Sequence, residues 1–270
     1  MFDGRASVTG EANPALLEMR RVSVMRGLKM VLEDLDLCIG VGEHVAVLGP
    51  NGCGKSTLIK TITRECYPLS RPGSTMRILG EDRWDVFKLR SVLGIVSNDL
   101  MTACSQNYTG LEVVLSGFFS SIGIWPNHAV TAAMRQKSEA VLARLDAAHL
   151  AERPVSEMSS GEARRVLIGR SLVHDPKALL LDEPSTSLDL FAQRELQRIL
   201  RELAHGGIGI ILVTHHLADI IPEIERVVML EGGRVLADGA KEDLLREETL
   251  QRLFRTPVAL AKRCGYYHLW

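Results

Sequence analysis

The chain has 270 residues, 46% hydrophobic and 24% charged, enough to bury one large core with room for a small appended lobe. Lys+Arg (32) nearly match Asp+Glu (33), for a formal net charge of −1, so no basic excess supports broad binding to nucleic acid phosphates and nucleic acid is not an expected partner. The longest apolar runs, such as Ile208 to Val213, fall far short of the roughly 18 residues that a membrane-spanning helix needs.

Met1 to Asn13 carries Asp3, Arg5 and Glu11 with no apolar h-region, so no signal peptide is expected. Leu16 to Ile39 alternates apolar and polar residues and predicts antiparallel strands at one edge of the fold. His44 to Leu48 is a short, continuous apolar run ending at Gly49-Pro50, the pattern of a buried strand meeting a loop. Leu93 to Val96, Ala178 to Leu181 and Ile208 to Val213 repeat it. Apolarity without alternation points to strands covered on both faces, as in a parallel α/β sheet. Residues from about 101 to 175 lean helical and lack strand signals, which predicts a separate helical lobe. Within it, Thr109-Gly110-Leu111-Glu112 forms a capping box opening a helix through Val113, Val114 and Leu115. The apolar knot from Phe118 to Pro126 reads as lobe core rather than interface. Ala192, Leu196, Ile199, Leu200 and Leu203 mark one face of a helix, and Glu231-Gly232-Gly233 turns a hairpin between Arg226–Leu230 and Arg234–Ala237. Lys241 to Arg255 predicts a helix closing the core, with Tyr266, Tyr267 and Trp270 as a loose tail or a contact. The expected class is α/β in a single domain over 1–270. Its core spans about 16–100 and 176–240, the lobe about 101–175, and a C-terminal helical extension about 241–270.

The first chemical motif is Gly49-Pro50-Asn51-Gly52-Cys53-Gly54-Lys55-Ser56-Thr57, directly after a strand. It matches the P-loop pattern, in which glycines let backbone N–H groups converge on phosphate oxygens at the positive end of the following helix. Lys55 is expected at the β- and γ-phosphates, the Ser56 hydroxyl on Mg²⁺, and Thr57 at the α-phosphate. The second motif, Leu179-Leu180-Leu181-Asp182-Glu183-Pro184, sets Asp182 at the end of a buried strand to hold Mg²⁺ and Glu183 beside it to polarise a water. Cys53 lies near Lys55 and a helix N-terminus, a setting expected to favour its thiolate, although a small residue that merely fits is the plainer reading. The five cysteines (Cys38, Cys53, Cys66, Cys104 and Cys264) lack disulfide or metal-ligand spacing and fit a reducing cytoplasm.

The third motif is Met158-Ser159-Ser160-Gly161-Glu162 before the helical run Ala163 to Val173. Ser159 and Glu162 make a capping box, and a serine-capped helix start with a glycine is also a second phosphate site. The segment resembles the L-S-G-G-Q signature of ABC ATPases in a variant form. Ser187-Leu188-Asp189 resembles the family's D-loop and Val213-Thr214-His215 its H-loop. The resemblance covers roughly residues 16 to 240 and implies a P-loop NTPase core with a mainly parallel sheet, an antiparallel β edge and an inserted helical subdomain. It also implies ATP hydrolysis in a head-to-tail homodimer. Each ATP is then sandwiched between Gly49 to Thr57 of one chain and Ser159, Ser160, Gly161 and Glu162 of the other, with His215 at the γ-phosphate and Asp189 communicating across the dimer. The neighbouring His216 invites a metal-site reading, but adjacent residues at a strand end point apart.

Three departures from the family pattern stand out. Arg26 occupies the place of the aromatic residue that stacks on adenine, and a guanidinium also stacks. Asn98, in Val96-Ser97-Asn98, replaces the Q-loop glutamine that reaches Mg²⁺. Ser160 and Glu162 replace glycine and glutamine, and Glu162 adds negative charge near a phosphate unless it is occupied in capping the helix. By resemblance, the partner is an integral membrane transporter subunit, whose short helix enters the groove between the lobe and the Q-loop. That places the chain in the cytoplasm, peripheral at the membrane face. The alternative is a stand-alone ABC ATPase with a regulatory or DNA-repair role. A chromosome-type ATPase is disfavoured because only about a hundred residues without sustained heptads separate Thr57 from Ser159. A single P-loop disfavours a translation-type member, and the signature argues against a P-loop kinase or GTPase. The compact domain and Val96-Ser97-Asn98 look similar to the branch for molybdate and metal-chelate uptake.

Overall fold

The computed structural model describes residues 15–104 and 108–270; the opening stretch read for a signal peptide lies outside them. The alternating region forms two long antiparallel strands, β1 (Ala15–Arg26) and β2 (Lys29–Gly40). They send Leu17, Met19, Val22, Leu35, Leu37 and Ile39 into the core. β3 (His44–Leu48) then feeds the P-loop and α1 (Lys55–Ile62). A strand with no clear sequence signal, β4 (Thr75–Ile78), adds to the free side of β1. It has four residues, and only Met76 and Ile78 are buried, too few to show a period.

After α2 (Val86–Val92) come β5 (Leu93–Val96) and the helical insertion, with α3 (Asn98–Cys104), α4 (Gly110–Ser116), α5 (Ala132–Arg144) and α6 (Ser160–Leu172). The chain returns through β6 (Ala178–Asp182), α7 (Leu190–His205) and β7 (Gly209–Thr214), then the hairpin β8 (Arg226–Glu231) and β9 (Arg234–Ala240). The central sheet runs β5-β6-β7-β3-β8-β9, parallel throughout except for β9. It is covered on both faces, as its continuous apolar runs require. On β3, Ala46 and Leu48 pack into the core shared with the helical lobe, whereas Val45 and Val47 pack toward the antiparallel sheet. β6 divides the same way, with Leu179 and Leu181 on one side and Ala178 and Leu180 on the other. The C-terminal ends of β3, β6 and β7 therefore open side by side at one edge, where ligands bind in open α/β sheets.

The C-terminal segment departs from a single helix. It forms α8 (Lys241–Leu244) and α9 (Glu247–Phe254), broken where Leu245 leaves helical geometry and buries its side chain. A hairpin follows, β10 (Leu260–Arg263) and β11 (Tyr266–Leu269), turned at Gly265 with φ of 81°. Tyr267 is buried while Trp270 is exposed, its backbone pairing with Ala259. The tail is thus a strand pair, held by Val258 and Tyr267 in the core with Leu260, Tyr266 and Leu269 packed against it.

Candidate nucleotide site

The loop after β3 takes left-handed backbone at Gly52 (φ 79°) and Gly54 (φ 113°), and Gly54 caps α1. At Gly49 a Cβ would meet the Leu230 carbonyl oxygen at 2.3 Å and Cys53 Sγ at 2.7 Å, so only glycine fits between strand and loop. The β8–β9 turn braces the loop from outside, with Gly233 N donating to the Cys53 carbonyl at 2.9 Å. Lys55, 5% exposed, folds back so that Nζ donates to the Gly49 and Pro50 carbonyls at 2.8 and 3.2 Å. A buried ammonium held only by carbonyls and a carboxylate is ready for a stronger anion.

That carboxylate is Glu183, whose Oε1 lies 3.5 Å from Lys55 Nζ and 2.9 Å from His215 Nδ1. Glu183 itself has φ of 45°, a left-handed backbone for a non-glycine residue, fixed by its N–H donating to the Val213 carbonyl at 2.8 Å. Such strain concentrates at functional sites. Asp182 is pushed up to about 6 by burial and by the adjacent Glu183. His215 is set by the turn after β7: Thr214 Oγ1 donates to Asp219 Oδ2 at 2.7 Å and accepts from His216 N at 2.9 Å. The two histidine rings do not diverge as strand alternation suggested; their centroids are 3.8 Å apart, because β7 ends at Thr214 and alternation stops there. Among the described residues no three or more His, Cys, Asp or Glu side chains are grouped to hold a metal ion.

One open cavity of about 560 Å³ gathers Arg26, Asn51, Gly52, Gly54, Lys55, Ser56, Thr57, Asn98, Asp182 and Glu183. Ser159, Ser160, Gly161, Glu162 and Asp189 are not there. They line a separate cavity of about 400 Å³ with Ser187, Phe191 and Ala192. The Ser159 capping box is complete: Glu162 N donates to Ser159 Oγ at 3.3 Å and Ser159 N to Glu162 Oε2 at 2.8 Å, while Arg153 pairs with Oε1 at 3.2 Å. The Glu162 charge is thereby occupied at the helix start. Gly161 has a packing reason as well, since a Cβ would meet Ala192 Cβ at 2.8 Å. Asp189 caps α7, accepting from Ala192 N at 2.8 Å.

Cys53 is corrected by its surroundings. It is 5% exposed, and burial pushes its thiol up, outweighing the lowering by Lys55. The thiolate is disfavoured, because the sulfur packs under the loop against Gly49 instead of facing the phosphate side.

Two features escaped the sequence reading. Leu190 and Phe191 are 65% and 73% exposed in the first turn of α7, off its apolar stripe, and Phe191 lines the Ser159 cavity. Arg164, on α6, is buried, and its Nη2 donates to Asn98 Oδ1 at 2.8 Å. A charged residue three and four positions before buried Leu167 and Ile168, inside an otherwise apolar helix face, was the available signal.

A family model described as ABC transporter matches residues 32–186, more than half the chain. The chain belongs to the ABC transporter family. The cassette is 31% identical over 248 residues to an uncharacterized ABC transporter ATP-binding protein, YlmA of Bacillus subtilis, covering 90% of this chain and 92% of that one. It is likewise 31% identical over 244 residues to the hemin import ATP-binding protein HmuV of Aliivibrio fischeri, covering 88% and 90%. Its fold matches an inward-facing putative metal-chelate type ABC transporter with a TM-score of 0.76 at 23% identity, covering 95% of this chain and 97% of that one. The cassette is an ATP-binding ATPase with the α/β architecture of that family. Among the described residues no helix is long and apolar enough to cross a membrane.

Proposed function

We propose that this cassette is the ATPase subunit of a membrane importer, closing head-to-tail with a second copy around two ATP molecules. The observation that carries the reading is the division of the site. The phosphate-cradling loop and the Ser159-capped helix start line two cavities that share no residue, each half of an ATP site. A second copy related by a two-fold axis brings the halves together, and the exposed Phe191 lining the second half supplies apolar surface for that contact.

Within the loop cavity, Lys55 and the backbone N–H groups at the start of α1 bind the phosphates, and Arg26 at the rim stacks on the base. The site fits a divalent cation, because the carboxylate of Asp182 is buried beside that of Glu183 and raised to about 6, a concentration of negative charge that calls for a counter-ion. Ser56 and Asp182 would hold Mg²⁺, which would supply neutralisation of phosphate charge. Glu183 orients and deprotonates the attacking water, while His215 holds the Glu183 carboxylate and reaches the γ-phosphate. Asp189 stiffens the start of α7 at the dimer face.

A third cavity, also of about 400 Å³, lies between the segment after β5 and the lobe, lined by Leu93, Ser97, Leu100, Gly117, Ile122 and Arg170. It suits a short helix from a membrane subunit, and in this reading the cassette works peripherally at the cytoplasmic face. The relative named for hemin import, together with the fold shared with a putative metal-chelate transporter, supports a metal chelate as the class of cargo.

The test is a Glu183→Gln variant purified from detergent-solubilised membranes with Mg-ATP. Recovery of a stoichiometric integral membrane partner supports the reading; a homodimer with no such partner overturns the transport part of it.

A further inference from the structure

Arg164 lies in the second turn of α6, the helix that begins at the Ser159 cap. Its guanidinium is 4% exposed. Nη2 donates to Asn98 Oδ1 at 2.8 Å, while Nε and Nη1 have no hydrogen-bond partner among the described residues. Burial lowers its pKa to about 10, with Asp182 opposing the shift, so the group stays charged at neutral pH. A buried cation with two unmet donors is costly, and its hydrogen bond to a described side chain is with the residue standing in the Q-loop position.

The chemistry of that contact fixes the amide. A guanidinium has only donors, so the atom it holds is the oxygen of Asn98 and not the nitrogen. Asn98 lines the phosphate-loop cavity, and Arg164 does not. With Oδ1 drawn toward α6, the group left for the cavity is the NH₂, which offers two donors. A divalent cation takes an oxygen, whereas a phosphate oxygen takes a donor.

We propose that Arg164 is a positioning residue that turns Asn98 into an N–H donor for the terminal phosphate of ATP, in place of an amide oxygen on the metal. The inference rests on the nucleotide-site reading above and narrows it. Ser56 and Asp182 hold the cation, and Asn98 recognises the phosphate. Because α6 starts at the signature segment, the Arg164–Asn98 bond also ties that helix to the nucleotide pocket of its own chain.

Four variants of the full chain separate the roles. Asn98→Ala removes the amide; Asn98→Asp keeps an acceptor for Arg164 but deletes the N–H donors; Arg164→Leu removes the positioning donor; Arg164→Gln restores one. Binding of Mn²⁺ with a non-hydrolysable ATP analogue is read by electron paramagnetic resonance, alongside kcat and KM for ATP and a thermal melt. Asn98→Ala should leave the Mn²⁺ Kd within about twofold of the parent, since no ligand is lost. Asn98→Ala, Asn98→Asp and Arg164→Leu should each lower kcat by about tenfold or more with KM changed less than about threefold, and Arg164→Gln should recover most of the loss. A Mn²⁺ Kd about tenfold weaker in Asn98→Ala would make Asn98 a metal ligand and overturn the proposal. An unchanged kcat in Asn98→Asp, which keeps the buried ion paired and so should fold, would overturn it equally. If the parent protein itself binds no ATP analogue, the nucleotide-site reading fails, and that is visible before any variant is made.

Discussion

His215 Nδ1 lies 2.9 Å from Glu183 Oε1, so the strand-end histidine and the strand-end carboxylate of neighbouring strands are joined directly. The same oxygen is 3.5 Å from Lys55 Nζ. Lys55, Glu183 and His215, the three groups proposed to act in the reaction, thus form one connected set in the single chain, and each can be removed separately. Glu183→Gln keeps shape and a hydrogen-bond acceptor for His215 but removes the base. It should lower kcat by about 10²-fold or more while ATP affinity stays within about threefold. His215→Ala should cost about 10-fold to 10²-fold in kcat, because Glu183 loses the group that orients it. Steady-state hydrolysis together with equilibrium nucleotide binding separates the two effects.

Lys55 is buried against carbonyls, and exchanging those partners for phosphate oxygens is what the loop is shaped to allow. Lys55→Ala should weaken ATP binding by about 10²-fold, the loss of one charge-assisted contact of about 2.7 kcal/mol. Titration with a fluorescent ATP analogue checks it, and unchanged affinity would remove the phosphate-cradle assignment.

The Glu162 carboxylate is held below its ordinary value of 4.5, first by the Ser159 backbone N–H. A depressed carboxylate stabilises the fold above its unfolded pKa, and that stabilisation is lost as pH falls through the folded value. Glu162→Ala should therefore cost about 1 kcal/mol at pH 7, with the gap to the parent closing as the pH falls below about 4. Denaturant unfolding at pH 7 and at about pH 3 tests the sign. Glu162→Gln, which preserves a capping box, should cost less at pH 7.

Cys53 is buried with its thiol pushed up, whereas Cys264 is exposed. Thiol reagents should label Cys264 well before Cys53, with and without Mg-ATP, as followed by mass spectrometry of the labelled peptides. Early labelling of Cys53 that ATP prevents would restore the thiolate reading.

Much of the fold was legible because continuous apolar runs on a parallel sheet carry a distinct signal. His44–Leu48 and Leu93–Val96 are strands at the bounds read from sequence, and Ala178 and Val213 fall within a residue or two of theirs. The four-residue β4 and the β10–β11 hairpin were not legible. Both are pinned by a few buried side chains and by partners distant in sequence, and neither leaves a period to read. The loop and strand-end residues of the site stand out because backbone geometry demands glycine while phosphate and water chemistry calls for lysine and acid, in a fixed order along the chain. Arg164 did not, since its meaning lies in a bond to Asn98, sixty-six residues away.

The central claim is that Ser159 and the loop around Lys55 belong to one ATP site only across two copies of the chain. The most direct measurement is the sedimentation of Glu183→Gln with and without ATP, in parallel with a Glu183→Gln chain also carrying Ser159→Arg. A species of twice the chain mass that forms only with ATP, and is lost with Ser159→Arg, is the predicted result. A chain that binds and hydrolyses ATP at an undiminished rate at dilutions where it sediments solely as a monomer would contradict it.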